Sequence, residues 1–373
     1  MPGVPNANNL YSEVGAGKMS PAVKDHLERV YVPNLRGNEV YVIDPATAKV
    51  VDKFKVGRSP QHVVPSWDLQ TLWVANNAEG RTDGSLTPID PKTGKPGKSI
   101  PVDDPYNMYF TPDGKSAIVV AEAKKRLDFR DPKTMQMQYS INVPQCGGVN
   151  HADFSIDGKY AIFTCEFNGT LAKVDLVERK VLGYIKLQMP EKRFKEGSKP
   201  DDPQMEICTA KKGMPQDIRI SPDGKRFFIA DMHADGVHIV DGDSFKQVGF
   251  ITTGLGAHGL YPSRDGTKLY VANRSTHKIH GKNDGPGTVS VIDFATARII
   301  TTWVIPGGGS PDMGNVSPDG KWLWLSGRYD DEVYRIDTSN GAVTKIKVGA
   351  EPHGLTVWPQ PGRYSLGHTG NLR

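Results

Sequence analysis

The chain has 373 residues, a formal net charge of +4, 40 glycines and 28 prolines. Its basic residues are scattered, which gives no electrostatic case for nucleic-acid binding. No run of 18 apolar residues predicts a membrane-spanning helix. The first 21 residues are polar and rich in glycine and proline, and they lack the apolar segment of a signal peptide. The turn-rich composition favours an all-β protein.

A short phrase recurs seven times along the chain: an apolar residue, or Arg130 in one copy, followed by aspartate at the end of a strand-like run. The repeated aspartates are Asp44, Asp90, Asp131, Asp175, Asp241, Asp293 and Asp337. The intervals are 46, 41, 44, 66, 52 and 44 residues, and the two longest contain insertions of roughly 20 and 10 residues. This period predicts a β-propeller in which each repeat is one four-stranded blade.

The strands of each repeat follow in a fixed order, which we label a to d. The phrase Ser/Thr-x-Asp-Gly, as at 111–114, lies between apolar runs and predicts a tight hairpin between strands a and b. Strand c ends at the repeated aspartate, and strand d follows. Residues 29–56 supply strands b, c and d, whereas Glu351–Trp358 supplies a lone strand a, so both ends should share one blade. We therefore predict a seven-bladed β-propeller over residues 29–360, an N-terminal extension at 1–28 and a C-terminal tail at 361–373.

Several of these segments resemble the YVTN family of seven-bladed propellers, which includes YncE-like proteins. The matching segments are YVPN at 31–34, WVANN at 73–77, YVANR at 270–274 and the SPDGK turns. The resemblance covers residues 29–360 and implies the fold. It also implies an exported protein, periplasmic or secreted, whose presequence is not present in this chain; a cytoplasmic protein is the alternative. It implies no particular activity, because propellers host many.

Two insertions indicate which face of the propeller is functional. The longer, Pro190–Gly213, lies in a d–a connection, and the shorter, Thr276–Gly287, lies in a b–c loop. Both kinds of connection emerge on the face opposite the Asp-Gly turns, and long loops in compact domains are usually lids or binding segments. We expect a small-molecule or protein ligand on this insertion-bearing face, with the longer insertion flanking the axial mouth.

Histidines concentrate where the seven innermost strands begin on that face. These windows contain His62, His151, His258 and His353. The other three windows contain Asn107, Asp217 and Asp312. Convergent imidazoles suit copper, zinc, nickel or iron, and the neighbouring amide and carboxylates could orient them or complete the coordination. The alternative is histidines that hydrogen-bond backbone groups around a water-filled channel. Because a shift of one residue turns a strand side chain over, a smaller subset could form the site.

The same face also collects acids and all three cysteines. Glu122 and Glu166 follow strands b of adjacent blades and are candidate catalytic residues, because a carboxylate beside a metal-bound water can act as a general base. Solvated loop acids are the alternative. For the cysteines, three readings stay open: a Cys146–Cys208 disulfide that clamps the longer insertion, a metal-binding His151–Cys165 pair, and three buried thiols.

The remaining histidines receive lesser roles. His277 and His280 have His-x-x-His spacing in a glycine-rich loop, and we expect them to form part of a polar lid. The tail is expected to pack outside the barrel, with no role for His368. The chain has no C-x-x-C-H haem attachment, no G-x-S-x-G elbow and no P-loop.

Two hypotheses for function follow. The first is an exported metalloprotein, an oxidoreductase or a lyase, that binds a transition metal at His62, His151, His258 and His353. Copper is favoured and zinc is the alternative. The second is a non-catalytic propeller that binds a ligand or a protein at the same mouth. The histidines and the insertions favour the first, whereas the resemblance alone favours the second.

Overall fold

The computed structural model of the protein describes residues 2–194, 205–207, 212–282, 285–368 and 370–373. These residues form seven antiparallel blades, six of four strands and one whose outermost strand is divided into two short segments, so the protein is an all-β seven-bladed propeller. The innermost strands contact one another in sequence around a closed ring. Apart from the blades, the described residues include one short hairpin, Lys192–Phe194 with Met205–Ile207, and two 3-10 helices, Ser12–Val14 and Pro21–Val23.

The blades are numbered one to seven in the order in which their innermost strands, strands a, occur along the chain. Strands a are Pro60–Pro65, Pro105–Phe110, Val149–Phe154, Pro215–Ile220, Ala257–Pro262, Pro311–Val316 and Thr356–Trp358. Strands b, from blade one to blade seven, are Leu72–Asn76, Ala117–Ala121, Tyr160–Cys165, Arg226–Asp231, Lys268–Asn273, Trp322–Gly327 and Arg29–Asn34. Strands c are Ser85–Asp90, Arg126–Arg130, Thr170–Asp175, Gly236–Asp241, Thr288–Asp293, Glu332–Asp337 and Glu39–Asp44. Strands d are Lys95–Pro96 with Ile100–Pro101, Met137–Asn142, Lys180–Lys186, Lys246–Thr252, Arg298–Val304, Val343–Lys347 and Lys49–Lys55.

Local hydrogen bonds explain why the two phrases recur. The Asp44 carboxylate accepts the backbone N–H of Ala46 at 3.0 Å, which fixes the turn between strands c and d. In the a–b turn of blade three, the Ser155 hydroxyl donates to Asp157 at 2.7 Å and accepts the N–H of Tyr160 at 3.1 Å. Gly158 in this turn has φ 69°, a conformation that glycine adopts without steric cost.

Both ends of the chain contribute to blade seven. Strand a, Thr356–Trp358, pairs antiparallel with strand b, in a register that joins Arg29 to Trp358 and Tyr31 to Thr356. The sheet order is therefore d, c, b and a, with only strand a contributed by the C-terminal half. This pairing makes the ring of blades continuous.

The N-terminal extension lies on the face that carries the Asp-Gly turns. The N–H of Leu10 donates to the carbonyl of Pro222 at 2.7 Å, and the Tyr11 hydroxyl donates to the carbonyl of Ile220 at 2.6 Å. Leu10 and Tyr11 are both buried there. This face is thus covered by chain segments rather than open to solvent.

The C-terminal tail enters the axial channel from the same face, so the expectation that it packs outside the barrel is wrong. Its backbone runs beside strand a of blade two. The N–H of Phe110 donates to the carbonyl of Leu366 at 3.0 Å, and the N–H of His368 donates to the carbonyl of Met108 at 3.0 Å. A side chain at Gly367 would meet the Met108 carbonyl at 2.5 Å, so only glycine allows this close approach. Apolar side chains such as Tyr364 are buried along the tail, which places His368 on the axis.

The cysteines pair within one blade. Cys146 and Cys165 form a disulfide with Cα atoms 4.9 Å apart, which excludes the proposed Cys146–Cys208 bond and a Cys165 thiolate ligand for His151. The bond is possible because Cys165 pairs in register with Val149, and the chain reaches that position from Cys146 through a tight turn. Cys208 lies outside the described residues.

The longer insertion is described only in part, because residues 195–204 and 208–211 lie outside the described part. At its C-terminal end the Lys212 ammonium donates to the Phe167 carbonyl at 2.8 Å, in a b–c loop of the insertion-bearing face. The described residues contain no helix long and apolar enough to cross a membrane.

Candidate functional site

Bulges at the start of the innermost strands aim polar side chains into the channel. In blade one the pairing skips from Pro60 to His62, and in blade three it skips from Val149 to Ala152. Corresponding register shifts occur in strands a of blades two, four, five and six. A bulge inserts an unpaired residue and redirects its side chain. The alternation of side chains along a regular strand therefore does not predict which of these residues meet in the channel.

Four imidazoles converge on the axis beneath the mouth. The ring of His62 lies 4.8 Å from that of His353, 5.1 Å from that of His368 and 5.5 Å from that of His151, centroid to centroid. The rings of His151 and His368 lie 4.4 Å apart. All four side chains are fully buried. Three of the four predicted histidines therefore meet, and the fourth member is supplied by the tail.

His353 and His62 have nitrogen atoms that are buried and uncommitted. His353 Nδ1 lies 2.7 Å from an Asp312 carboxylate oxygen, so it carries the proton and donates, which leaves a lone pair on Nε2. Neither that Nε2 atom nor either ring nitrogen of His62 has a hydrogen-bond partner among the described residues. A carboxylate that fixes Nδ1–H while Nε2 faces inward is the usual support for a metal-binding histidine.

His151 and His368 are held differently. The Asn107 amide nitrogen lies 3.0 Å from Nδ1 of each ring, so both Nδ1 atoms accept from the amide and the proton of each neutral ring is on Nε2. His368 Nε2 also lies 3.4 Å from the Asp217 carboxylate. One atom each from His151, Asp217 and His368 lies within 4.8 Å of the other two. A metal ligated by these rings would have to displace the Nε2 proton or the Asn107 amide.

Burial holds these imidazoles in the neutral form. Desolvation lowers the pKa of His62, His151 and His368 well below the usual value, and it lowers the pKa of His353 to about 3. Neighbouring histidines lower the pKa of His62 further. Neutral imidazole is the form that binds metals, so the rings need no deprotonation to a neutral state at pH 7.

Gly354 makes room for the ring of His62. The two strands meet here because the N–H of Gly354 donates to the Gln61 carbonyl at 2.8 Å. A Cβ atom at Gly354 would lie 2.0 Å from His62 Nδ1 and 2.9 Å from that carbonyl. The position of the His62 ring therefore depends on the absence of a side chain at residue 354.

His258 lies beside the cluster, but other groups engage both of its ring nitrogens. Its ring is 5.9 Å from that of His353. Its Nδ1 lies 2.7 Å from Asp312, and its Nε2 lies 2.6 Å from the Arg274 guanidinium. Arg274 also donates to Asp312 at 2.7 Å. This network links the cluster to the mouth.

A cavity of about 410 Å³ opens above the cluster on the insertion-bearing face. Tyr106 separates the two: it lines the cavity, and its ring lies 5.5 Å from that of His62 and 6.1 Å from that of His151. The walls include Glu122, Glu166, Arg274 and Arg328. The predicted catalytic acids thus line the mouth rather than the floor where the histidines meet.

The two glutamates are electrostatically coupled. Burial raises the pKa of Glu122 well above its usual range, with a further rise from Glu166. Burial also raises the pKa of Glu166, although its carboxylate accepts from Asn150 at 2.8 Å. Two carboxyls that share a poorly solvated site retain a proton more readily than free acids, as general acids and bases require.

The shorter insertion lies at the rim of the cavity. Ile279 and His280 line it, and the Tyr329 hydroxyl lies 2.6 Å from the Ile279 carbonyl. His277 Nε2 lies 2.7 Å from Asp235, and His280 lies 3.3 Å from Glu79. The two histidines therefore connect this loop of blade five to an acid of blade four and to an acid of blade one, as a polar lid would.

Comparisons with known proteins agree with this fold. The family model of YNCE-like beta-propellers matches residues 204–361. The uncharacterized protein YncE of Salmonella typhi is 24% identical over 314 residues, covering 78% of this chain and 75% of its own length. The resemblance to YncE-like propellers predicted from sequence is thereby confirmed.

Solved structures extend the comparison of folds. Hydrazine synthase of Kuenenia stuttgartiensis aligns with a TM-score of 0.55 at 20% identity, over 75% of this chain and 77% of that chain. The dihydro-heme d1 dehydrogenase NirN aligns with a TM-score of 0.60 at 14% identity, over 88% and 75%. At these identities the alignments show the propeller fold alone.

Proposed function

We propose that this YncE-like propeller is an exported metalloprotein with one transition-metal site beneath its axial mouth. His62 and His353 are the primary ligands, and His151, His368 and Asp217 complete the site. The observation that carries the proposal is His353: Asp312 fixes its Nδ1–H, its buried Nε2 has no partner among the described residues, and its ring lies 4.8 Å from that of His62, whose nitrogens also have none. Burying such acceptors without compensation costs about 1–3 kcal/mol each, and a bound ion would remove that cost.

Copper is our preferred metal, because a site of imidazole and carboxylate ligands binds Cu²⁺ more tightly than the other divalent first-row ions. Zinc is the alternative, since three or four imidazoles also suit it. The ordinary state of this site is neutral imidazole. At His151 and His368 a metal must still displace either the Nε2 proton or the Asn107 amide on Nδ1.

Glu122 and Glu166 are our candidates for an acid–base pair, which would make the protein an oxidoreductase or a lyase acting on a ligand in the mouth. Tyr106 lies between these acids and the histidines. The second candidate function is a binding propeller without catalysis, and the size of the cavity supports it as well. Export is supported by the Cys146–Cys165 disulfide, because such bonds persist mainly in oxidising compartments.

The test is metal binding by protein purified without a polyhistidine tag. After chelator treatment, the protein is titrated with Cu²⁺, Zn²⁺ and Ni²⁺ by calorimetry and equilibrium dialysis. We expect one tight site per chain and a loss of affinity of at least about 100-fold in His62→Ala and His353→Ala, because outer-shell changes alone cost 10–100-fold. His280→Ala, at the exposed rim, is the matched control. Wild-type affinity in both cluster variants, with melting curves that show folded protein, would refute the proposal.

A further inference from the structure

Arg328 is a buried cation whose hydrogen-bonding capacity is unused. It lines the mouth cavity and is 4% exposed. Its nearest acids are Glu351, 3.3 Å from Nη2, and Asp312, 3.8 Å from Nη1. Among the described residues, none accepts a hydrogen bond from its side chain, and its Nε is buried without a partner. A guanidinium carries five N–H donors in a planar fork. In Arg328 the Nε–H is buried without a partner, and the two Nη groups have only the ion pairs with Glu351 and Asp312.

A second guanidinium reinforces the positive wall. Arg274 lines the same cavity and is 2% exposed. Asp312 and His258 hold its Nη2 atom, while its Nε has no partner among the described residues. Arg274 is thus fixed in position, whereas Arg328 is held only by two loose ion pairs. This difference marks Arg328 as the residue available to a ligand.

Glu122 and Glu166 also line the cavity. Burial raises the pKa of both, which favours the protonated form. A protonated carboxyl donates a hydrogen bond and carries no negative charge. The cavity lining also includes Gln61, which is 2% exposed and directly precedes His62 in strand a of blade one. Glu79 and Asp104 line the cavity as well, so the lining carries acids, and Arg274 and Arg328 are its two buried guanidinium groups.

We propose that the mouth binds a small organic carboxylate, with its carboxylate group on the Arg328 guanidinium and its body in the cavity above Tyr106. The planar fork of arginine matches a carboxylate through two parallel hydrogen bonds. A cavity of about 410 Å³ lies in the range of organic ligand sites and is far larger than a bare inorganic ion requires. The assignment names the ligand class of the mouth, and it holds for a metal-dependent enzyme and for a binding propeller alike.

The experiment measures binding of succinate to the untagged protein at pH 7 by calorimetry, in the chelator-treated and in the metal-loaded state. Succinamide, which has similar shape and no charge, is the matched ligand, and sulfate and phosphate are the inorganic probes. We expect succinate to bind in both states and to raise the melting temperature as its concentration rises, whereas succinamide does neither. Binding in the chelator-treated protein separates this proposal from the metal site.

The variants are Arg328→Gln, Arg328→Lys and the control Arg81→Gln. Arg81 also lines the cavity, but it is exposed at the rim and pairs with Asp83. We expect Arg328→Gln to weaken succinate binding at least tenfold, Arg328→Lys to weaken it less, and Arg81→Gln to change it less than twofold. Equal binding by Arg328→Gln or equal binding of succinamide would overturn the proposal. So would no binding of succinate to wild type, or tighter binding of sulfate or phosphate than of succinate. The melting curves of the wild type with succinate and with succinamide test the proposal even where a variant fails to fold.

Discussion

Replacing Gly354 by alanine should disturb the proposed metal site without removing any ligand. The new Cβ would lie 2.0 Å from His62 Nδ1, 2.7 Å from His62 Cγ and 2.9 Å from the Gln61 carbonyl. The carbonyl cannot move freely, because it accepts the N–H of Gly354 at 2.8 Å. The His62 ring must therefore shift, and it lies among three other imidazoles in a site that is fully buried.

The expected cost follows from overpacking a tight interior, which is about 1–3 kcal/mol. For a chain larger than 250 residues, each kcal/mol lowers the melting temperature by less than about 2–4 °C. We therefore expect Gly354→Ala to melt a few degrees below wild type. Because the ring leaves its position beside His353, we also expect metal affinity to fall by about tenfold or more, which corresponds to about 1.4 kcal/mol.

The assays are calorimetric melting and metal titration of Gly354→Ala beside Gly183→Ala. Gly183 lies in strand d of blade three, and a Cβ there meets nothing within 4 Å. The control should match wild type or gain up to about 1 kcal/mol from the stiffer unfolded chain. A Gly354→Ala protein with wild-type melting and wild-type metal affinity would show that the ring of His62 is not fixed as described, and the reasoning would fail.

Three further predictions concern other parts of the molecule. Cys165→Ser should lower the free energy of unfolding by about 3 kcal/mol, because the disulfide closes a loop with a sequence separation of 19; unchanged denaturant midpoints in oxidised wild type and variant would contradict the bond. Removal of residues 361–373 should lower the melting temperature and weaken metal binding, because it opens the channel and removes His368; equal metal affinity in a folded truncated protein would exclude His368 as a ligand. Burial raises the pKa of Asp104 from 3.8 to about 6, so the folded state binds the Asp104 proton more tightly than the unfolded state does. The free energy of unfolding of the wild type therefore falls as the pH rises from 3.8 to about 6. The stability of Asp104→Asn relative to wild type should therefore increase between pH 4 and pH 7, by roughly 2 kcal/mol, and a pH-independent difference in urea unfolding would refute the shift.

The fold could be predicted because its determinants are local and repeated. Asp44 and its six counterparts cap the same turn in every blade, and the Ser/Thr-x-Asp-Gly phrase fixes the a–b hairpins of blades two to six. The strands of each repeat can therefore be predicted from its own 40–50 residues. The position of His62, His151 and His353 at the mouth follows from the same register.

The parts that could not be predicted depend on contacts distant in sequence. His368 reaches the axis only because a tail lies along strand a of blade two, and no local pattern encodes that placement. The glycines at 367 and 370 and the apolar Tyr364, Leu366 and Leu372 were the available sign of a packed segment. His258 occupies an equivalent strand position, yet Arg274 and Asp312 engage it. The disulfide likewise depends on a pairing register that the cysteine spacing does not reveal.

The central claim is a metal ion bound beneath the mouth by His62 and His353. Anomalous diffraction from crystals of the untagged protein grown with one equivalent of Cu²⁺, measured at the copper edge, tests it most directly. The account predicts one strong peak on the propeller axis, within about 2.0–2.2 Å of ring nitrogens of both residues. A peak only at His277 or His280, or no peak in crystals with an intact cluster, would contradict it.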